Sequence, residues 1–373
     1  MNPTAIDNRN LVKAHSLSSD VYQKSRLYLG LLKAQWNKKP VPLIANLFIT
    51  GKCNAKCAYC YVDINKNPER KFCFDEWTSI IDTLYKKGTR MISLVGGEPL
   101  LHPDIGRLVA YIVEKNIFLN LTTNGFLLGE HLDTVKQATE VSISLDGGIV
   151  PHNKNRGKMS FERAAKGIDL AVENGVKVRL CAVVTRYNFD QIDFLIDYAE
   201  QRNLFISFTP LIDPPDSRKK AADDMRLSDQ KIREFFSRLK EAKKRTSRII
   251  NSMANIEYMI NYPAQYGHVI FKNSPDAGYY TIPCPYGRLQ YLIINTGQIY
   301  PCAIMWNNDY FQAKNIFDAG FDEAFSCASN NLPCQCCSFA NAVDWNNVTS
   351  LPWLWYGIKM TLKQFVKKNG RNR

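Results

Sequence analysis

The chain lacks any apolar stretch approaching the ~18 residues of a membrane-crossing helix. Its first residues, Met1-Asn2-Pro3-Thr4, lack the charged-then-apolar order of a secretory signal. The expected location is therefore the cytoplasm. Acid is also short, with 35 Asp and Glu against 48 Lys and Arg, a formal charge of +13. That surplus is scattered at Lys219-Lys220, Lys243-Lys244-Arg245 and Lys367-Lys368. It is not gathered beside the aromatic platforms that single-stranded nucleic acid requires, which disfavours nucleic acid. An anionic small molecule or a phosphorylated, carrier-linked substrate remains compatible. Eleven cysteines without an export signal fit metal binding better than disulfides.

Three of those cysteines form the run Cys53-Asn-Ala-Lys-Cys57-Ala-Tyr59-Cys60. A [4Fe–4S] cube normally takes four thiolates, so a compact trio with no fourth cysteine nearby leaves one iron open for chemistry. A zinc site is the competing reading, and would ordinarily complete four ligands at CxxC-type spacing. Further on, residues 91–95 are an apolar, partly β-branched run that opens into Gly96-Gly97-Glu98-Pro99. This reads as a buried strand entering a turn without side chains, where backbone can approach a ligand closely.

The C-x3-C-x2-C trio, with an aromatic before its last cysteine and with GGEP following, resembles the signature of the radical S-adenosylmethionine enzymes. The resemblance implies that the open iron chelates the methionine end of S-adenosylmethionine, with the backbone of the GGEP turn meeting its amino group. Strands read near 43–50, 91–95, 118–123, 140–145, 177–185 and 204–209, with helical patterns at 75–87, 103–116, 130–137, 160–174 and 191–202. Such alternation means a parallel sheet with covering helices. Six units match the α/β partial (β/α)6 TIM-like barrel that the resemblance implies.

In barrels of this kind the chemistry gathers at the C-terminal strand ends, where each motif falls. The resemblance gives Tyr59, Gly96, Gly97, Glu98, Thr123, Asn124, Ser144, Asp146 and Arg156 as cofactor-binding residues. Thr123 and Ser144 would hold the methionine carboxylate or ribose. Asp146-Gly147 followed by His152-Asn153 and Arg156 is similar to a D-G-x(n)-H-D-x-x-R stretch, with Asn153 in place of the usual acid. Arg156 suits a carboxylate partner; a solvated loop arginine is the alternative. Phe208-Thr209-Pro210 flanks the adenine or packs the strand end.

A second constellation lies in the last third. Cys284 and Cys302 stand at C-x12-G-x4-C spacing around Asn295-Thr-Gly297, a hairpin turn signal that brings them near each other. Cys334 and Cys337 follow at CxxC spacing. Together they resemble the auxiliary-cluster domain called SPASM, in its shortened twitch form because no cysteine follows Cys337. The resemblance implies a second [4Fe–4S] cluster on Cys284, Cys302, Cys334 and Cys337, with Cys336 and Cys327 as alternative ligands and a zinc ribbon as the competing site. Cys73 and Cys181 read as ordinary buried thiols.

These readings divide the chain into an amphipathic helical flank (1–42), the barrel core (43–210), connecting loop and helices (211–275), the auxiliary domain (276–340) and an amphipathic basic tail (341–373). Trp36, Trp353 and Trp355 are expected to cover apolar surface that an incomplete barrel leaves open. Peripheral contact with a membrane surface is the alternative for both flanks.

The expected function is reductive cleavage of S-adenosylmethionine to a 5′-deoxyadenosyl radical, hydrogen abstraction, and oxidation of the substrate radical with help from the auxiliary cluster. An external electron donor such as flavodoxin or ferredoxin is implied. Alternatives are a radical epimerase with thiol Cys327 or Cys336, a peptide-modifying enzyme, and a non-catalytic metal-stabilised binding protein. No motif fixes a general base.

Overall fold

The structure, a computed structural model, describes residues 17–37, 39–60, 72–212, 224–262, 265–267, 269–272, 284–306, 310–339 and 344. The basic tail with Trp353 and Trp355 lies outside the described residues, as do residues 213–223.

Six parallel strands, β1 (Ile44–Phe48), β2 (Met91–Val95), β3 (Phe118–Thr123), β4 (Glu140–Ser144), β5 (Val178–Val184) and β6 (Phe205–Pro210), form one curved sheet in sequence order. Their outward residues, among them Leu47, Leu94, Leu121, Ile143 and Leu180, are apolar and fully buried. The covering helices supply the opposite wall: α2 (Phe74–Lys87), α3 (Ile105–Glu114), α4 (Leu132–Val135), α6 (Ser160–Glu173) and α7 (Ile192–Gln201). Each strand and each αβ helix of the sequence reading is present, with bounds that agree or shift by no more than two residues.

The alternate, inward positions are polar and hydrogen-bond across strands. Asn120 donates to Ser93 at 3.3 Å, Ser142 donates to Asn120 at 2.8 Å, and Arg179 donates to Ser142 at 2.7 Å. This period-two switch from apolar to polar is what a barrel with a wet lumen requires.

Three features lay outside the sequence reading. Soon after Asp146, eight residues wind into α5 (Ile149–Arg156). The hairpin expected in a separate auxiliary domain, β8 (Gln290–Ile294) and β9 (Ile299–Tyr300), joins the barrel sheet, with β8 parallel to β1. The CxxC segment is itself strand β10 (Cys334–Cys337), antiparallel to β7 (Val269–Phe271). Helices α8 (Asp229–Arg245), α9 (Met253–Ile260) and α10 (Ile316–Asn330) complete the described elements.

The flank helix α1 (Leu17–Asn37) buries Leu27, Leu31 and Ala34 against Leu43, Ile44 and Leu289. Trp36 does not cover apolar surface: it is 90% exposed. Its position five residues past Leu31 turns it about 140° from that buried residue on the helix.

Candidate functional site

The cysteine loop leaves the C-terminal end of β1 and is stitched at once to the turn after β2. Gly97 donates its backbone N–H to the Thr50 carbonyl at 2.8 Å, and Glu98 donates to that of Lys52 at 2.7 Å. A Cβ at Gly96 would stand 2.6 Å from the Thr50 oxygen, and one at Gly97 only 2.3 Å from the Lys52 oxygen. The two glycines are thus required by the chain's own loop, apart from any ligand.

Glu98 is fully buried, and its carboxylate accepts from the Leu100 N–H at 3.1 Å, the Thr123 hydroxyl at 2.8 Å and the Asn124 N–H at 2.8 Å. Burial raises its pKa, and these three donors oppose that rise. Asn124 donates to Asn54 inside the cysteine loop at 2.7 Å.

A second knot lies at the end of β4. Asp146 is fully buried and accepts from Tyr59 at 2.7 Å, from Arg156 Nε at 2.8 Å, from Asn155 at 3.4 Å and from the Val183 N–H at 2.9 Å. Burial works to raise the Asp146 carboxyl, yet the Arg156 guanidinium brings it below the usual range. Arg156 is buried, so it is not a solvated loop arginine; its carboxylate partner belongs to this chain. The Asp146 N–H donates to His152 Nδ1 at 3.0 Å, and burial lowers the His152 pKa to about 4, leaving a neutral imidazole.

Tyr59, Glu98, Thr123, Asn124, Asp146 and Arg156, all expected at a cofactor, therefore direct hydrogen bonds at one another and hold the loop against the strand ends. Ser144 ends β4 in register with Cys181 on β5. Phe208 is buried and packs on Phe235 at 5.8 Å. Asn155, Thr185 and Asn188 belong to the same knot but were not singled out. Their only sequence signal is the placing of amides and hydroxyls just past two strand ends.

Two of the three thiols, Cys53 and Cys57, are raised. Cys57 is pushed up to about 11, first by burial, against which Arg156 pulls, with Cys60 and Cys53 adding to the rise. Cys53 is raised by burial too, with the Ala55 N–H and Asn124 opposing. Ala55 N lies 3.4 Å from its sulfur.

In the second constellation, Cys302 is driven to about 12 by burial and by Cys334, opposed by the N–H groups of Met305 and Ile304. Cys337 is raised as well, first through burial and then through Cys284, Cys302 and Cys334. Thiols in such company stay protonated at neutral pH unless a cation replaces the protons. Both groups therefore fit a cationic cluster. No three His, Cys, Asp or Glu among the described residues are arranged to hold a single metal ion.

Cys327 donates instead to the Gln312 carbonyl at 3.7 Å. The two sites are joined through Phe48 at the end of β1 and Trp306 after Cys302, whose rings meet edge-on at 4.7 Å.

The pattern of the radical SAM superfamily matches residues 47–199, which hold the trio, the glycine turn and the first five strands. This stretch is a radical SAM domain. Among curated relatives, the Fe-coproporphyrin III synthase of Methanosarcina barkeri is 31% identical over 209 residues, covering 54% of this chain and 51% of that protein. The antilisterial bacteriocin subtilosin biosynthesis protein AlbA of Bacillus subtilis is 32% identical over 162 residues, covering 42% and 36%. The chain thus spans about half or less of the length of these two relatives. In fold, Streptococcus suis SuiB bound to S-adenosylmethionine matches with a TM-score of 0.62 at 18% identity, over 80% of this chain and 70% of SuiB. The radical SAM domain accounts for S-adenosylmethionine and an iron–sulfur cluster as its cofactors, and for the partial barrel.

Proposed function

We propose that the protein is a two-cluster radical SAM oxidoreductase that removes hydrogen from a bound, anionic or carrier-linked substrate and oxidises the radical so formed. The observation that carries this reading is that the segments of Cys284 and Cys337 meet, with the Tyr286 and Phe339 rings 5.5 Å apart, while burial and neighbouring thiols raise Cys302 and Cys337. When bound, the first cluster with S-adenosylmethionine supplies a 5′-deoxyadenosyl radical, and a second cluster supplies an acceptor for the electron that the substrate radical loses.

The chain's own contribution is position. Gly96, Gly97 and Glu98 hold the base of the cysteine loop, Tyr59 and Asp146 hold its far end, and the hydroxyls of the lumen line the space above the strands. A rim recess of about 480 Å³ between the loops after β4 and β5 is lined by Lys154, Arg186, Tyr187 and Phe189, with one acid, Asp190, among the others. Lys154 Nζ stands 4.1 Å over the Tyr187 ring. Such a basic and aromatic recess suits an anionic group on a substrate. The similarity to AlbA, a bacteriocin biosynthesis protein, supports a peptide as the carrier.

The test is anaerobic reconstitution with iron and sulfide, then reduction with S-adenosylmethionine. The expected result is 5′-deoxyadenosine and about eight irons per chain; no 5′-deoxyadenosine would sink the assignment in favour of a binding protein. Hydrogen return from a thiol is a second reading. It is favoured by Cys181, which stands on the partly open face of β5 with the Ser207 hydroxyl 3.5 Å from its sulfur. In that case substrate turned over in heavy water would gain one deuterium, and Cys181→Ser would abolish the gain.

A further inference from the structure

We propose that the outer face of α1 docks on an anionic membrane surface, so that the floor of the barrel lies on lipid and its mouth faces solvent. The helix runs beneath the barrel. Gln23 accepts from Thr139 just ahead of β4, Arg26 stands 5.4 Å over the Tyr85 ring at the end of α2, and Arg288 donates to the Ala34 carbonyl ahead of β8. Leu27 and Leu31 pack on Leu43 and Ile44 at the start of β1. All these partners stand at the N-terminal strand ends, opposite the cysteine loop.

On the face turned away, Tyr22, Leu29 and Trp36 are 51%, 64% and 90% exposed. Their spacing of seven keeps them in one line, with a drift of only ~20° per heptad. Lys33, also exposed, falls between Leu29 and Trp36 at helical neighbour positions, whereas Arg26 is turned to Tyr85 on the barrel side. An exposed apolar line flanked by a lysine and ending in tryptophan is what a helix lying in a membrane interface presents. The Lys33 stem can lie along lipid while its charge reaches the headgroups.

The surrounding floor has the matching sign. Lys86 is exposed at the end of α2, Lys136 and Lys177 just ahead of β4 and β5, and Lys39 just past α1, against Glu114, Glu173 and Glu200. A juxtaposed basic surface attracts anionic lipid. A second copy of this chain fits the face less well. A helix pair needs apolar residues at two positions per heptad, whereas this line offers one, and two copies would oppose Lys33 with a like charge.

The test sediments the full chain with vesicles of phosphatidylcholine alone and with phosphatidylglycerol added. Binding is expected to the anionic vesicles, weakening as salt rises. It should fall about tenfold in the double variant Leu29→Ser, Trp36→Ser and in Lys33→Glu, both of which alter only exposed side chains. The proposal is overturned if the protein ignores anionic vesicles, or if the double variant binds them as wild type does. A wild-type dimer that the double variant splits would overturn it too, and assign the face to a second copy.

Discussion

The Tyr59 hydroxyl donates a 2.7 Å hydrogen bond to the Asp146 carboxylate, joining the cysteine loop to a strand end 87 residues further along the chain. The phenol sits next to Cys60 in sequence, so this bond fixes the exit of the loop as the Gly97 and Glu98 amides fix its start.

Tyr59→Phe should keep the fold and loosen the loop. One hydrogen bond to a charged acceptor is worth about 1–3 kcal/mol, while Arg156, Asn155 and the Val183 N–H still satisfy Asp146. The first cluster should be stripped by a chelator several-fold faster than in wild type. An unchanged stripping rate would show that the tie does not hold the loop.

Gly97→Ala should be far harsher. The added methyl would meet the Lys52 backbone oxygen at 2.3 Å, and backbone cannot yield as a flexible side chain can. Iron after reconstitution should drop from about eight to about four per chain, with formation of 5′-deoxyadenosine lost. Full iron content would mean that the loop can shift without losing the cluster.

The auxiliary ligands can be sorted by single substitutions. Alanine at Cys284, Cys302 or Cys337 should cost about four irons and leave the absorbance of the first cluster in place. Cys327→Ala should keep all of them, because its sulfur faces the Gln312 carbonyl. Iron loss in Cys327→Ala would rewrite the ligand set.

His152 gives a pH dependence with a definite sign. Its folded pKa, about 4, lies below the ordinary 6.5, so the unfolded chain binds more protons between those values. Stability from this group is fully present above about pH 6.5, fades as pH falls toward 4, and levels off below. The full loss is about 3 kcal/mol. Between pH 7 and pH 5, denaturant unfolding of the cluster-free wild type should therefore weaken more than that of His152→Asn, whose amide oxygen can still accept the Asp146 N–H. Parallel slopes for the two proteins would remove His152 from the acid limb.

The amino-acid sequence by itself determined the cysteine trio, the glycine turn and the six βα units. These signals are local: a spacing within eight residues, or a periodicity within fifteen, survives in any arrangement of the whole. What only the tertiary structure decided is which surfaces meet. The sequence reading had Gly97 opening toward a ligand, but the Lys52 carbonyl already stands against it. The same reading set Arg156 toward a foreign carboxylate or toward water, where Asp146 supplies the carboxylate. It also placed the 289–295 hairpin in a domain of its own, although β8 pairs with β1, some 240 residues earlier. The amphipathic flank was legible as a helix, but its inner face was not, because Leu27 and Leu31 are no more apolar than Leu29. Only the start of β1, packed beneath them, makes one side of α1 a floor and leaves Trp36 on the other.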